Sequence, residues 1–469
     1  MASFTLGEIL KAVSGVLLQQ GSHEYCTGVN TDTRTISPGE LFIALQGNTF
    51  DGHHFLNDAC INGASMVIIS ERSSFKAVPR TVSVILVKNT QTALEALAHF
   101  YRMKFDIPVV AVTGSNGKTT TKNMIAALVA SKLNVCATQK NFNNEIGLPL
   151  TILNLSHEHQ CGVIEMGMSH FGEISRLTSV VQPNVAVLTN IGMSHIENLG
   201  SQEGILKAKL EIIEGLAPDG TLVVNGDDPY LWGCRNTLSC RVLTYGVENK
   251  NCDFIAEDID YQFDSISFMM KTPDGSYPAV MNAVGAHNVY NGLAAAVCGR
   301  LLGISDTDTA AGLAERQETK MRLNVVDCDG FSMIEDCYNA SPDSMLAALQ
   351  VLMKAGGTRK IAVLADMLEM GEHSKSAHSK VGKAVAVQDV DSLITFGEMG
   401  KVIALSAVEN GMNPQKVHSF SEKESIYDLL EHFIQKGDVV LVKGSRGMKM
   451  ETVCQRLKDL KIEQKQKME

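Results

Sequence analysis

The chain lacks the marks of a membrane protein, a disulfide-framed protein or a nucleic-acid binder. No apolar run approaches the roughly 20 residues that a membrane-spanning helix needs. The start, MASFTLGEIL, carries Glu8 and has no basic segment ahead of an apolar core, so a signal peptide is not expected and the chain reads as cytoplasmic. The 11 cysteines include no C-x-x-C pair, which fits reduced thiols packed as small hydrophobes. There is no internal repeat and no low-complexity tract. Positive charge is in deficit, with 41 Lys and Arg against 52 Asp and Glu and a net charge of −11. That balance argues against a general nucleic-acid surface but leaves room for a local basic site facing an anionic substrate. What remains is an ordinary globular composition, 45% hydrophobic and 20% charged, in 469 residues. That length suits about three domains.

One stretch organises the rest. Val109 to Thr121, VVAVTGSNGKTTT, reads as a buried strand running into a glycine-punctuated turn and then a helix. Gly114 and Gly117 permit backbone conformations and close ligand approach that a Cβ would obstruct. Backbone N–H groups of the turn and helix start, the Lys118 ammonium and the hydroxyls of Thr119 and Thr120 then converge on one volume. Such a cradle suits a polyphosphate with a place for magnesium. The full Walker pattern would have Gly where Val112 stands, so this is a shortened variant.

Ahead of it, residues 1–105 form a small α/β domain, with strands expected at Leu41 to Leu45, Met66 to Ile69 and Val82 to Val87 and a helix from Thr92 to Tyr101. The polar segments Asn30 to Arg34 (NTDTR) and Gly47 to Phe55 (GNTFDGHHF) are solvated loops or the walls of a pocket; composition favours the loops.

Residues 106–318 hold the phosphate loop within a strand, turn, helix rhythm. Strands at Gly162 to Ile164 and Val185 to Leu188 deliver Glu165 and His195 to the sheet edge where ligands of parallel sheets gather. Each suits a cap or a surface pair alone; beside the phosphate loop they also suit a magnesium site. A helix expected from Gly200 to Leu216 carries two contrasting lysines. Lys207 lies between Glu203 and Glu211 at i−4 and i+4, the pattern of a solvated ion-pair face. Lys209 has Ile205, Ile212, Ile213 and Leu216 as helical neighbours. It must snorkel out or have its charge dealt with, because burial lowers an amine's pKa. A run of alternating strands from Asp253 to Met281 turns at Thr272 to Ser276. GAHNVYN, Gly285 to Asn291, then precedes a helix from Ala294 to Leu302, its Asn and His side chains suited to capping or to an adenine edge.

Residues 319–469 start a second doubly wound unit, with strands expected at Met333 to Asp336, Ile361 to Leu364, Leu393 to Phe396 and Val439 to Val442, and a charged tail after Lys458.

Taken in order, TGSNGKTT, NFNNEIGLP at Asn141 to Pro149, Glu165, His195, Lys209, GAHN with Asn291, Arg322, DCYNASP at Asp336 to Pro342 and VKGSR at Val442 to Arg446 resemble the Mur ligase family over essentially the whole chain. Lys320, where some relatives have proline, departs from the pattern outside the chemistry. The N-terminal DTR, SPGELFIALQG, DGHHF and ADMLEMGE resemble members that add D-alanyl-D-alanine to UDP-N-acetylmuramoyl-tripeptide.

The resemblance implies three α/β domains: an N-terminal domain for the UDP substrate, a central P-loop ATPase-like domain with a mostly parallel sheet, and a C-terminal Rossmann-like domain for the dipeptide. It implies ATP-dependent amide ligation through an acyl phosphate. Thr113, Gly114, Ser115, Asn116, Gly117, Lys118, Thr119, Thr120, Asn288, Asn291, Arg322 and Asp336 would bind ATP. Thr119, Glu165, His195 and a carbamylated Lys209 would hold Mg2+, with Lys118, Glu165, His195 and Lys209 as catalytic groups. Asp32, Thr33, Arg34, Asp51, His53 and Asn144 would meet the UDP substrate, and Tyr338, Asn339 and Arg446 the dipeptide. The implied enzyme is a cytoplasmic monomer of cell-wall synthesis. Rival readings are a sibling ligase adding a single amino acid, a folylpolyglutamate synthase, and a nucleotide-dependent switch that forms no amide.

Overall fold

The computed structural model describes residues 2–47, 50–262, 265–315 and 321–460. Lys320, the expected boundary between residues 318 and 319, Asn48 and Thr49 of the polar N-terminal loop, and the tail beyond 460 lie outside these. The described chain is α/β throughout, with mostly parallel sheets in three units.

In the N-terminal unit Leu41–Ile43, Met66–Ile69 and Ser83–Leu86 run parallel, and Val16–Gln19 closes one edge antiparallel. These β-branched and aromatic segments are fully buried except at the sheet margins, which suits strands covered on both faces. Phe4–Thr5, Tyr25–Cys26 and Val29–Asn30 form two-residue strands too short to leave a periodic signal. The Thr90–Arg102 helix is capped by Asn89, which accepts the Thr92 N–H, and it buries Leu94, Leu97 and Ala98.

Among the described residues the central sheet has nine strands: seven run parallel, the last of them Phe254–Tyr261, and Ile266–Thr272 and Gly275–Met281 continue it by antiparallel pairing. Val109–Thr113 lies between Cys161–Glu165 and Val185–Leu188, with Val112 opposite Glu165 and Thr113 opposite Leu188. Three strands therefore end side by side, at the edge where a doubly wound sheet binds ligands.

Two expected helices differ. The helix expected over Gly200 to Leu216 is interrupted: Ser201 caps Gln202–Leu210 by accepting the Gly204 N–H, and the last turn tightens to a 3-10 helix over Glu211–Gly215. Gly200 takes φ 78 and belongs to the end of the preceding Ile196–Leu199 turn. The helix expected from Ala294 begins at His287, so Asn288 and Asn291 lie inside it; Ala286 stands at the cap and offers no side-chain bond.

The C-terminal sheet has six strands, all parallel except Asn324–Cys328. Pro342–Lys354 packs on it, capped by Ser341 with proline at its first turn, where the missing N–H costs nothing. No helix among the described residues is long and apolar enough to cross a membrane.

Candidate active site

The phosphate loop is held rigidly from the neighbouring strand. Ser115 N–H donates to Asn190 O and Asn116 N–H to Asn190 Oδ1, both at 2.9 Å, while Thr189 Oγ1 donates to Asn116 O at 2.5 Å. This corrects one expectation: the N–H groups of Ser115 and Asn116 are engaged by Asn190. The donors left to a ligand are those of the helix start from Gly117 to Thr120, which helix geometry leaves without an internal acceptor. The glycines are needed here. A Cβ on Gly114 would lie 1.9 Å from Thr189 Oγ1, and Gly117, at φ 81, would meet Asn291 Oδ1 at 2.7 Å.

Lys118 folds back onto its own loop, donating to Gly114 O at 2.8 Å and Ser115 O at 3.2 Å. Burial, opposed by Glu165 and assisted by the Arg322 charge, lowers its pKa to about 8. Lys209 is 1% exposed. Burial and the charge of Lys118 push its pKa well below the usual amine range. Of the two lysines on that helix it is the buried one; Lys207 is exposed. The ion-pair face expected for Lys207 is not built: its ammonium lies 6.0 Å above the Phe171 ring, while Glu211 accepts the N–H groups of Gly172 and Ser175. Those backbone donors are fixed in place, so binding them requires less ordering than pairing with a flexible lysine.

Glu165, 1% exposed, is aimed by two bonds: Asn143 Nδ2 donates to its Oε1 at 2.7 Å, and its own N–H donates to Thr138 Oγ1 at 2.9 Å. Its Oε2 is buried without a hydrogen bond, as are Thr113 Oγ1 and Ser115 Oγ. These are three of the five such atoms among the described residues. Folded proteins rarely leave such groups idle, because each costs about 1–3 kcal/mol. An idle carboxylate oxygen beside a threonine-rich phosphate loop fits a hard divalent cation such as Mg2+.

A cavity of about 460 Å³ opens beside the loop and is lined from two units. Ser115, Asn116, Gly117, Lys118 and Thr120 face it from the loop, Asn288 and Asn291 from the long helix, and Arg322, Asp336, Tyr338, Asn339 and Lys443 from the C-terminal unit. Thr113, Gly114, Thr119, Glu165, His195, Lys209 and Arg446 are not among its lining. Asn291 is tied into the packing, accepting from Thr121 Oγ1 and donating to Asn288 Oδ1. Asn288 donates to Val284 O. Arg322 lies 4.3 Å above the Tyr338 ring. Asp336 holds the Lys443 ammonium at 2.6 Å, and Lys443 also donates to Asn339 O. Ser341 Oγ donates to Asn116 Oδ1 across the two units at 3.0 Å.

Family models match along the chain: "Mur ligase family, catalytic domain" over residues 25–102, "Mur ligase middle domain" over 112–299 and "Mur ligase, glutamate ligase domain" over 321–446. The UDP-N-acetylmuramoyl-tripeptide--D-alanyl-D-alanine ligase of Bacillus subtilis strain 168 is 40% identical over 98% of this chain and 99% of its own length. The chain belongs to the Mur ligase family. Among solved Mur ligases, MurF of Acinetobacter baumannii superposes with TM-score 0.89 at 31% identity, over 97% of this chain and 99% of that one. MurF of Thermotoga maritima in complex with ADP gives 0.82 at 30% identity, over 92% and 97%.

In this Mur ligase the expected substrate-loop residues have a different character from the phosphate-loop edge. Arg34, exposed, forms a two-pronged pair with Asp32, whose pKa falls to about 2 through that guanidinium. Thr33 O accepts from Asn62. His53 is 5% exposed and its ring is fully used: Nδ1 meets Asp51 Oδ1 at 2.6 Å and Nε2 accepts the Ser70 N–H at 2.9 Å. Asn144 Oδ1 accepts the Gly147 N–H at the start of the next helix. Arg446 is exposed and pairs with Glu451 at 3.2 Å.

Sequence reasoning passed over Asn190 and Thr189, which brace the loop, and gave no role to Asn143, which aims Glu165, or to Lys443, which neutralises Asp336. Asn143 lies in NFNNEIGLP and Lys443 in VKGSR, segments conspicuous for polar side chains at strand ends. Asn190 offers only its place just beyond a buried strand.

Proposed function

We propose that this chain joins D-alanyl-D-alanine to the terminal carboxylate of UDP-N-acetylmuramoyl-tripeptide, converting ATP to ADP and phosphate, in the synthesis of peptidoglycan precursors. The observation that carries the reading is the concentration of idle buried polar atoms and depressed amines around one phosphate loop, beside a cavity lined from two domains. The full-length likeness to D-alanyl-D-alanine ligases supports the choice of substrates.

A carboxylate oxygen of the tripeptide attacks the γ-phosphorus of ATP, the bond to ADP breaks, and an acyl phosphate forms. The dipeptide amine then attacks the acyl carbon, loses a proton, and phosphate leaves with one former carboxylate oxygen. Two anions approach in the first step, so the site must aim cations at the migrating group. Lys118 supplies one after leaving the carbonyls of Gly114 and Ser115. The helix start at Gly117 to Thr120 offers N–H groups to the phosphates. Asn288 and Asn291 face the adenine, with Arg322 and Asp336 reaching the nucleotide from the C-terminal domain.

Thr119, Glu165, His195 and Lys209 would hold Mg2+, which supplies charge neutralisation on the phosphates when bound. Lys209 fits that set only as a carbamate. Its lowered pKa favours the neutral amine, which would add to CO2 with loss of one proton and become an anionic oxygen donor. Asp32, Thr33, Arg34, Asp51, His53 and Asn144 meet the UDP substrate, and Tyr338, Asn339 and Arg446 the dipeptide. The proposal takes domains at 1–105, 106–318 and 319–469, a monomer, and a cytoplasmic site of action.

The test supplies UDP-N-acetylmuramoyl-tripeptide labelled with oxygen-18 in its terminal carboxylate, ATP, and either D-alanyl-D-alanine or single amino acids. Label should appear in released phosphate, with the dipeptide as the preferred amine. Label in AMP or retained wholly in the product overturns the acyl phosphate, preference for a single amino acid makes the chain a sibling ligase, and ATP hydrolysis without amide formation makes it a switch.

A further inference from the structure

His195 and Glu369, neither of them glycine, both adopt left-handed backbone conformations, at φ 64 and φ 60. Such conformations are costly for residues with a Cβ and persist where the surrounding structure fixes them. The two belong to different units. His195 follows the central Val185–Leu188 strand, and Glu369 lies on the loop after the C-terminal Lys360–Ala365 strand. Their side chains meet, with His195 Nδ1 2.7 Å from Glu369 Oε2. Nδ1 is buried, and Glu369 Oε2 is the acidic oxygen placed against it. The flanking backbones are seated together too: a Cβ on Gly371 would fall 3.2 Å from the Glu197 side chain, two residues beyond His195.

We propose that Glu369 is a positioning residue: it accepts the Nδ1–H of His195, selects the tautomer with its lone pair on Nε2, and so presents that nitrogen to the divalent cation. This rests on the reading of His195 as part of the metal set. Neutral imidazole has one donor and one acceptor nitrogen, and a carboxylate on one side decides which is which. Metal-bound histidines commonly have such a partner on the far nitrogen. Here the carboxylate comes from the other domain, so His195 is held in that tautomer only with the C-terminal domain seated. Metal affinity and domain seating are then linked, each strengthening the other.

The test measures Mn2+ binding by electron paramagnetic resonance on the full chain with a non-hydrolysable ATP analogue, for wild type, Glu369→Ala, Glu369→Gln and His195→Ala. Glu369 is 56% exposed at its side chain, so its variants should fold, with circular dichroism as the check. Glu369→Ala should weaken Mn2+ binding by about tenfold or more. Glu369→Gln should lose less, because its amide oxygen still accepts. Adding Glu369→Ala to His195→Ala should cost nothing further. If Glu369→Ala binds within twofold of wild type while His195→Ala is weakened, the positioning role is overturned and the metal reading of His195 stands. If His195→Ala itself binds like wild type, both fall. Equal losses in Glu369→Ala and Glu369→Gln, or full additivity with His195→Ala, also overturn it.

Discussion

The edge of the central sheet and the loops of the N-terminal unit are both rich in polar side chains, yet their groups are spent differently. In the N-terminal loops the groups satisfy one another: Asp32 binds Arg34, Asn30 binds Glu40, and His53 bridges Asp51 and Ser70. At the central edge Glu165 Oε2, Thr113 Oγ1 and Ser115 Oγ are buried with nothing to bind, and two lysines are held where their charge is penalised. Polar composition is therefore a poor guide to chemistry. An unspent buried group marks a place kept for a ligand, whereas a saturated one maintains the shape of a loop.

The largest expected break of this contrast is Lys118→Met. Phosphate release should fall by at least about a hundredfold, since a cation aimed at a migrating phosphoryl group is worth roughly 3 kcal/mol or more. The same variant should melt higher than wild type at pH 7. The folded pKa of about 8 lies below the ordinary lysine value of 10.5. The ammonium therefore destabilises the fold fully below pH 8, and the penalty fades as pH rises towards 10.5. Calorimetry from pH 7 to 10 should show the gain shrinking; an unchanged or lower melting temperature at pH 7 would mean the charge is well accommodated.

Lys209→Ala comes next and should cost most of the activity, with partial rescue by small carboxylic acids filling the vacated space. Lys207→Ala, one turn face away and exposed, should shift stability by no more than about 0.5 kcal/mol and leave turnover nearly untouched. The contrast fails if Lys207→Ala is the inactive variant.

Asn143→Ala removes the donor that aims Glu165 and should lower turnover about tenfold, from the roughly 1–3 kcal/mol of leaving a buried carboxylate oxygen unpaired. Turnover within twofold of wild type would show that Glu165 needs no such support.

The smallest catalytic effects should come from the saturated loops. His53→Ala should destabilise the N-terminal unit by about 1–3 kcal/mol, read by denaturant unfolding, with turnover at saturating substrates unchanged. Arg34→Ala should leave turnover intact and raise KM for the UDP substrate. A KM within twofold of wild type would confine that pair to loop geometry and remove it from substrate recognition.

Sequence alone determined the strand, loop and helix from Val109 to Ala130, because apolar β-branched residues, two glycines and an i, i+4 stripe agree on one local answer. It also placed Glu165 at a strand end, carried His195 to the same sheet edge, and set Lys209 on an apolar stripe, leaving burial or snorkelling for the fold to decide, since those follow from period and position along a single element. Its failures lay where a residue's partner is distant in the chain. Asn190 takes two N–H groups of a loop 74 residues earlier, and Gly172 and Ser175 draw Glu211 away from Lys207. The two-residue strands and the split at Gly200 were likewise decided by pairing and backbone geometry, too local for periodicity to record. Most of all, tertiary structure brought Arg322, Asp336 and Glu369 to a site whose loop lies more than 200 residues away, and only there can unsatisfied groups be told from spent ones. Hydrogen-bond satisfaction depends on what the folded chain brings within reach, and a linear pattern carries no information about that.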